Sequence, residues 1–345
     1  MSKRIVLPIL LASAVACGGG GDPTSPADPP APIPGPGPSD PGYPTSDPGT
    51  PTPPSPGDPQ PPTPSEPPAP DVVGRGVYAV DLDNRLMLFG TESPEALARL
   101  IPITGLGAGH RIVSIDFRGE SGGLHGVGTD SRVYAIDTVS GTATPVGAPF
   151  HPEITGTHFG ILIDGEANQI RIHGVESDQN LLLRATTGEV LSVDTPLAFS
   201  GGDQYAGQNP GVAGTAIRPS DGKVFGIEAN KDILVRLPDP ALGTLNTVGP
   251  LGAGTTLCVG FDIAEDGAAF AALTQSDGSK LHAIDLETGV ATLVGTIATD
   301  TPVQGIAIVP GAPQAQGRLA RPVTARQVGF RPAVAPAACF GAAGE

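Results

Sequence analysis

An all-β fold of repeated four-stranded units is predicted by three features of the sequence. The stretch RVYAIDTVSGTATPVG (Arg132–Gly147) returns 148 residues later as KLHAIDLETGVATLVG (Lys280–Gly295), with weaker copies between and before. Short runs of Val, Ile and Leu are separated by Gly-rich turns, and the chain holds 49 Gly, which favours short strands joined tightly. Helix signals are thin; Ser93–Leu100 (SPEALARL) carries a cap-like Ser, Pro in the first turn and good helix formers.

Each unit has four strand-like pieces. The first pieces are Val113–Phe117, Phe159–Ile163, Gly214–Ile217, Val259–Ile263 and Gln304–Val309. With Ser114, Gly160, Gly214, Gly260 and Gly305 taken as equivalent, the steps are 46, 54, 46 and 45 residues. Second pieces are Leu124–Val127, Ile170–Val175, Val224–Ile227 and Ala269–Leu273. Third pieces are Val133–Asp137, Asn180–Arg184, Ile233–Leu237 and Leu281–Asp285. Fourth pieces are Ala143–Val146, Val190–Val193, Leu245–Val248 and Ala291–Val294. Four strands per unit of this length is the arithmetic of a β-propeller blade.

The two ends complete the count. Val77–Asp81, Leu86–Phe89 and Ala98–Ile103 supply second, third and fourth strands with no first strand before them, and Gln304–Val309 is a first strand with nothing after it. Joined, they make a fifth blade and close the ring, so the fold expected is a five-bladed propeller. A closed ring has no propagating edge and is expected to be a monomer. The 54-residue step holds an insertion at Ser200–Gly211, a loop on one rim.

Outside the ring the composition changes. Residues 1–16 read as a secretion signal, with Lys3 and Arg4 before the apolar run Ile5–Leu11. That run is too short for a transmembrane helix. Between Asp22 and Asp71 lie 22 of the 40 prolines, so residues 17–71 form a Pro-rich linker that cannot make helix or ladder. In polyproline II form such a spacer reaches at most about 150 Å. Residues 72–310 are the propeller, and residues 311–345 an Ala/Pro/Arg tail expected to be disordered.

The charge of −16 divides unevenly, and 27 acidic against 13 basic side chains remain in the propeller. A strongly acidic domain repels phosphate backbones, which excludes nucleic acid as a partner. Cys258, in an apolar run, reads as a buried small hydrophobe, and Cys339 as part of the tail. Nothing in the spacing supports a bridge between them.

Ala14-Val15-Ala16-Cys17 resembles the lipobox of bacterial lipoproteins, with Ala14 in place of the usual Leu. The resemblance implies cleavage before Cys17 and acylation of its thiol, hence a membrane partner reached through a lipid anchor. Gly18, where Asp would argue for inner-membrane retention, implies the outer membrane or cell surface, on its outer or periplasmic side. Two or three acyl chains suffice for stable anchoring.

The repeats also resemble the DUF4394 domain, a bacterial family of unknown function. The resemblance rests on ITGLGAGHRIVSIDFRGESGGLHGVG (Ile103–Gly128), GTLNTVGPLG (Gly243–Gly252) and Gly260-Phe261-Asp262-Ile263. The family's Asp-Phe-Asn-Pro and Asp-Arg-Ile-Arg runs are degraded here to Leu162–Gly165 and Asn168–Arg171, while Arg171 and Gln179-Asn180 survive. The resemblance implies a propeller and carries no activity.

Several residue groups qualify as chemistry and are outweighed by structural roles. Gly119–Gly123 fits the G-x-S-x-G pattern, but that motif needs a strand-to-helix elbow and here joins two strands of one blade. His125, His173 and His282 sit at packing positions of the repeat. His151, Glu153 and His158 share one loop without firm ligand spacing. The repeat unit is similar to those of quinoprotein propellers, which lock blades with Trp, and Trp is absent here. Sugar-binding propellers offer aromatic platforms, for which this chain has few residues.

Asp116 and Asp262 occupy equivalent inner strands along the channel, where carboxylates hold Ca²⁺ or cap backbone amides. The equivalent positions are Leu162, Ala216 and Ala307, so a full ring of carboxylates is missing. Asp137 and Asp285 precede Ser140-Gly141 and Thr288-Gly289 and read as turn formers. No catalytic set and no cofactor are assigned. The function expected is a cell-envelope binding or scaffolding module for an envelope protein or extracellular ligand, presented on rim loops (Ser200–Gly211, Ala148–Thr157) or the channel mouth. The alternative is a metal-dependent hydrolase or lyase using Asp116, Asp262 and His158 in the channel.

Overall fold

The computed structural model describes residues 72–119, 123–311 and Cys339. Twenty of its 21 strands form five antiparallel four-stranded blades. The first blade is β4 (Ile112–Phe117), β5 (Leu124–Gly128), β6 (Arg132–Ile136) and β7 (Ala143–Val146). The second is β8 (Phe159–Asp164), β9 (Gln169–Gly174), β10 (Asn180–Arg184) and β11 (Val190–Val193). The third is β13 (Val212–Arg218), β14 (Lys223–Glu228), β15 (Ile233–Asp239) and β16 (Thr244–Pro250). The fourth is β17 (Val259–Ile263), β18 (Ala269–Gln275), β19 (Gly278–Ile284) and β20 (Ala291–Thr296). In the closing blade the last strand, β21 (Val303–Ile308), pairs with β1 (Gly76–Asp81), followed by β2 (Arg85–Gly90) and β3 (Arg99–Pro102). The five-bladed ring and its closure by both chain ends therefore stand as the spacing predicts.

The repeated phrase is an outer hairpin whose chemistry is legible atom by atom. Asp137 Oδ1 accepts the N–H groups of Val139 and Ser140 at 2.9 and 2.7 Å, and Gly141 takes φ 74°. Asp285 does the same for Glu287 and Thr288. The Gly that ends each phrase lies where neighbouring hairpins touch. A Cβ on Gly147 would stand 2.0 Å from the Thr187 carbonyl oxygen, and one on Gly295 2.8 Å from Pro94 Cγ of the closing blade.

Inner strands also demand glycine. A Cβ on Gly260 would meet the backbone N of Ile306 at 2.6 Å, and one on Gly305 would meet Ser114 Cα at 2.9 Å. Gly160 and Gly214 face Thr215 and Val259 of the following blades in the same way. Small residues at the equivalent position thus let the five inner strands crowd around one axis. Five apolar clusters fill the seams between blades, which is how a ring without Trp finds its core.

Polar side chains close the seams. Asn84, Ser131 and Asp232 sit in turns at φ 59°, 58° and 54°, a left-handed region that short polar side chains tolerate. Each accepts a backbone N–H of the next blade's entry: Asn84 from Ile112 at 2.9 Å, Ser131 from Ile154 at 3.0 Å, Asp232 from Gly254 at 3.0 Å. Ser279 takes Val303 at 2.9 Å.

Three expectations need correction. Cys258 is bonded to Cys339 in a disulfide, and Leu257 N–H donates to the Cys339 carbonyl at 3.0 Å, so Cys339 belongs with the folded domain. The sequence separation of 81 hid the pairing from any spacing argument. Ser93–Leu100 forms no helix: Ser93 bridges back to Gly90, and Ala96 and Leu97 are drawn into the core. Tertiary burial overrides local propensity there. The insertion is also more than a rim loop. It is led in by β12 (Ala198–Phe199), which pairs parallel with β16 and covers that blade's outer edge. The signal, the linker and the rest of the tail lie outside the described residues.

Candidate functional site

The C-terminal ends of the five inner strands converge on one mouth of the channel, where a cavity of about 590 Å³ opens. Repeat-equivalent Phe117, Ile163, Ile217, Ile263 and Ile308 supply apolar wall. The end of β8 and the turns that follow the inner strands bring Asp164, Glu166, Asp221 and Glu265 to the rim, and Asp116 and Asp262 lie deeper. No Lys, Arg or His lines the cavity among the described residues. Volume and mixed lining match a small-molecule site. Asp221 is held by Arg218 at 2.7 Å and Lys223 at 2.8 Å, which keep it well below the usual carboxylate range. Glu166 and Glu265 are exposed.

The two inner carboxylates have a structural task already. Asp116 Oδ1 accepts Phe117 N–H at 2.7 Å, and its Oδ2 accepts Ile163 N–H of the next blade at 2.9 Å. Asp262 repeats this with Ile263 at 2.7 Å and Ile308 at 2.6 Å. Each one therefore caps two amides that its own blade leaves unpaired. Burial pushes the Asp116 carboxyl well up, the Asp262 charge adds to it, and the two N–H groups oppose it. Burial likewise pushes Asp262 up to about 7 against the pull of Ile308 and Ile263. Both residues are half-buried and line the cavity.

His158 does not join them. It precedes β8, whose far end carries Ile163 and Asp164, about 16 Å away at the strand rise per residue. There its Nδ1 meets Glu176 Oε1 at 2.5 Å and Thr157 Oγ1 at 3.0 Å. Burial alone would raise Glu176, but hydrogen bonds from His158 and Thr157 bring it down to about 2. Among the described residues no three His, Cys, Asp or Glu side chains stand close enough to hold a metal ion. Asp116 and Asp262, already engaged with four N–H groups, do not fit the six to eight oxygen ligands that Ca²⁺ takes.

The remaining sequence candidates fall into packing and turns. His125 and His282 are buried, each with Nδ1 against a carbonyl, of Gly123 at 2.8 Å and Lys280 at 3.2 Å. Arg171 donates to Asn180 and Asp194, both at 2.7 Å, and Gln179 donates to the Glu153 carbonyl at 2.7 Å. The surviving family residues therefore brace the second blade. Gly119 and Gly123 flank the β4–β5 connection, and Glu120–Gly122 lie outside the described residues. The rim acids Asp164, Glu166 and Glu265 escape sequence reasoning because each looks like an ordinary turn residue. Their shared signal is position: each lies at or just beyond the end of the first strand of its blade.

Fold and site together define a closed five-bladed β-propeller with an acidic cavity at one channel mouth. The chain belongs to the family described as a domain of unknown function, DUF4394, whose profile matches residues 85–307. No curated protein matches it. Among solved structures it is similar to a protein of unknown function from Bacteroides thetaiotaomicron, at 16% identity and TM-score 0.44. The match covers 69% of this chain and 65% of that one, less than two thirds of its length. It is also similar to a catalytically inactive virginiamycin B lyase from Staphylococcus aureus with quinupristin (12% identity, TM-score 0.36, covering 64% and 69%). A streptogramin B lyase matches at 16% identity and TM-score 0.38, covering 67% and 70%.

Proposed function

We propose that the protein is an exported, lipid-anchored binding module that takes an organic cation on an apolar stem at the mouth of its channel. The cavity carries this reading: an apolar wall under a rim of carboxylates, with no basic side chain lining it among the described residues. Carboxylates gathered in a concave, partly dehydrated site favour a positive guest over a neutral or negative one. An ammonium or guanidinium group on an alkyl chain or peptide side chain fits both halves of the lining. Export is supported by the leader and by the disulfide, which persists in oxidising compartments.

Calorimetric titration with hexylammonium, spermidine and a Lys-rich peptide tests the site. Saturable binding that weakens with added salt and is lost in Glu166→Gln/Glu265→Gln supports it; no heat from any of the three at millimolar concentration sinks it. For the anchor, Cys17→Ser is expected to release the protein from membranes, and continued membrane association refutes lipidation.

A further inference from the structure

One seam of the ring departs from the others in chemistry. On the second strand, opposite the inner-strand Ser or Gly, four blades place an apolar residue. Val127 faces Ser114, Ile227 faces Gly214, Ala272 faces Gly260 and Val80 faces Gly305. In the second blade the residue is His173, opposite Gly160. One position further along the inner strand, four blades carry Ile115, Ile161, Phe261 and Ile306, and the third blade carries Thr215. The two exceptions belong to adjacent blades and turn toward each other.

Their meeting is fixed by Gly160. A Cβ on Gly160 would stand 3.2 Å from Thr215 Oγ1 and 3.1 Å from the Val212 carbonyl oxygen, so this face of β8 looks onto the third blade. His173 is directly in register with Gly160, and its side chain leaves the same face about 5 Å away. Arg171, two residues earlier on that face, reaches toward the Pro240 carbonyl of the third blade at 3.4 Å, which confirms the direction.

Both side chains are 1% exposed, and neither His173 ring nitrogen nor Thr215 Oγ1 has a hydrogen-bond partner among the described residues. A neutral imidazole carries one donor and one acceptor, and a hydroxyl carries both kinds. Buried polar groups of this sort are satisfied in native proteins, commonly by an internal water with about three hydrogen bonds. Nearby charges do not serve: Arg171 is committed to Asp194 and Asn180. Burial, with the Arg171 charge, keeps the ring neutral against the weaker pull of Asp194, so the ring is able to both donate and accept.

We propose that the second and third blades enclose a water molecule bound between the His173 imidazole and the Thr215 hydroxyl. The water takes the place that apolar side chains fill in the other seams. It extends a polar line that begins at the inner strand with Thr215 and runs outward through His173 to Arg171, Asn180 and Asp194.

The isosteric change Thr215→Val separates a bound hydroxyl from an orphaned one. With the water present it removes a hydrogen bond and lowers the melting temperature; a melting temperature equal to or above that of the parent overturns the proposal. In a double-mutant cycle with His173→Val, losses smaller together than their sum are expected, because both groups hold one guest; strict additivity overturns it. The unaltered protein provides a reading that needs no variant. With ¹⁵N-labelled histidine, His173 is expected as a single neutral tautomer whose ring N–H cross-relaxes with a long-lived water. A neutral ring with no water cross-peak refutes the site even if both variants fail to fold.

Discussion

The carboxylate of Asp262 accepts the backbone N–H of Ile308 at 2.6 Å across a seam, and so ties the fourth blade to the strand that closes the ring. Asp116 ties the first blade to the second through Ile163. These residues face the channel and clamp blades at once. Sequence equivalence alone makes them resemble part of a ligand shell.

Replacing Asp262 by Ala leaves the amides of Ile263 and Ile308 without their acceptor. A loss of about 2 kcal/mol is expected in denaturant unfolding. Asp262→Asn keeps one acceptor oxygen and is expected to lose less. Equal losses in the two variants refute the clamp.

The same carboxyl sets a pH dependence. Its folded-state value, raised to about 7 by burial, lies above that of the unfolded chain, so the folded protein binds the extra proton. Stability is therefore expected to fall as pH rises from about 4 toward 7, the unfolded carboxylate range upward. Asp262→Asn should flatten that slope in melts recorded across the interval.

His173 works in the opposite sense. Burial, followed by the Arg171 charge, lowers it to about 3, so the unfolded chain takes up the proton first on acidification. Its contribution is present above the ordinary histidine value near 6.5 and is lost as pH falls toward 3. A His173→Val melt series without that acid-side loss confirms the assignment; an unchanged one refutes it.

The disulfide closes a loop of 81 residues that contains the fourth blade and β21. Chain-entropy arguments give about 4.5 kcal/mol for a loop of that length. Cys339→Ser should lower stability by up to that amount, read by unfolding of the oxidised parent beside the variant. A change below about 1 kcal/mol shows that the unfolded chain gains little from release.

Gly260→Ala forces a methyl group against the Ile306 and Gly305 backbones at 2.6 and 2.8 Å. A cost of roughly 1–3 kcal/mol is expected. Gly201→Ala, with open space around the added carbon, serves as the control and should leave the melting temperature unchanged.

Much of the architecture is legible because a propeller repeats its local physics. Alternation marks the strands, Asp137 and Asp285 announce their turns, and the unmatched strands at Val77 and Gln304 reveal the closing blade. Contacts between blades are harder to read. Whether Asp116 faces a cation or the Ile163 amide depends on the stagger of two sheets, which no periodicity contains. His158 and Asp116 lie 42 residues apart in sequence, yet they belong to opposite ends of their blades. The Cys258–Cys339 bond joins residues whose neighbourhoods share no pattern at all.

The closing blade has one more consequence. Because β1 runs antiparallel to β21, the chain enters the ring near residue 72 on the same face from which Gly311 leaves, and Gly311 itself lines the cavity. Arg75 draws the two ends together by donating to the Gly311 carbonyl at 3.4 Å. The segment that leads into β1 is thus on the face of the ring where the cavity opens. The size and charge of residues 72–75 then become part of the threshold, a property that can be engineered without touching the ring.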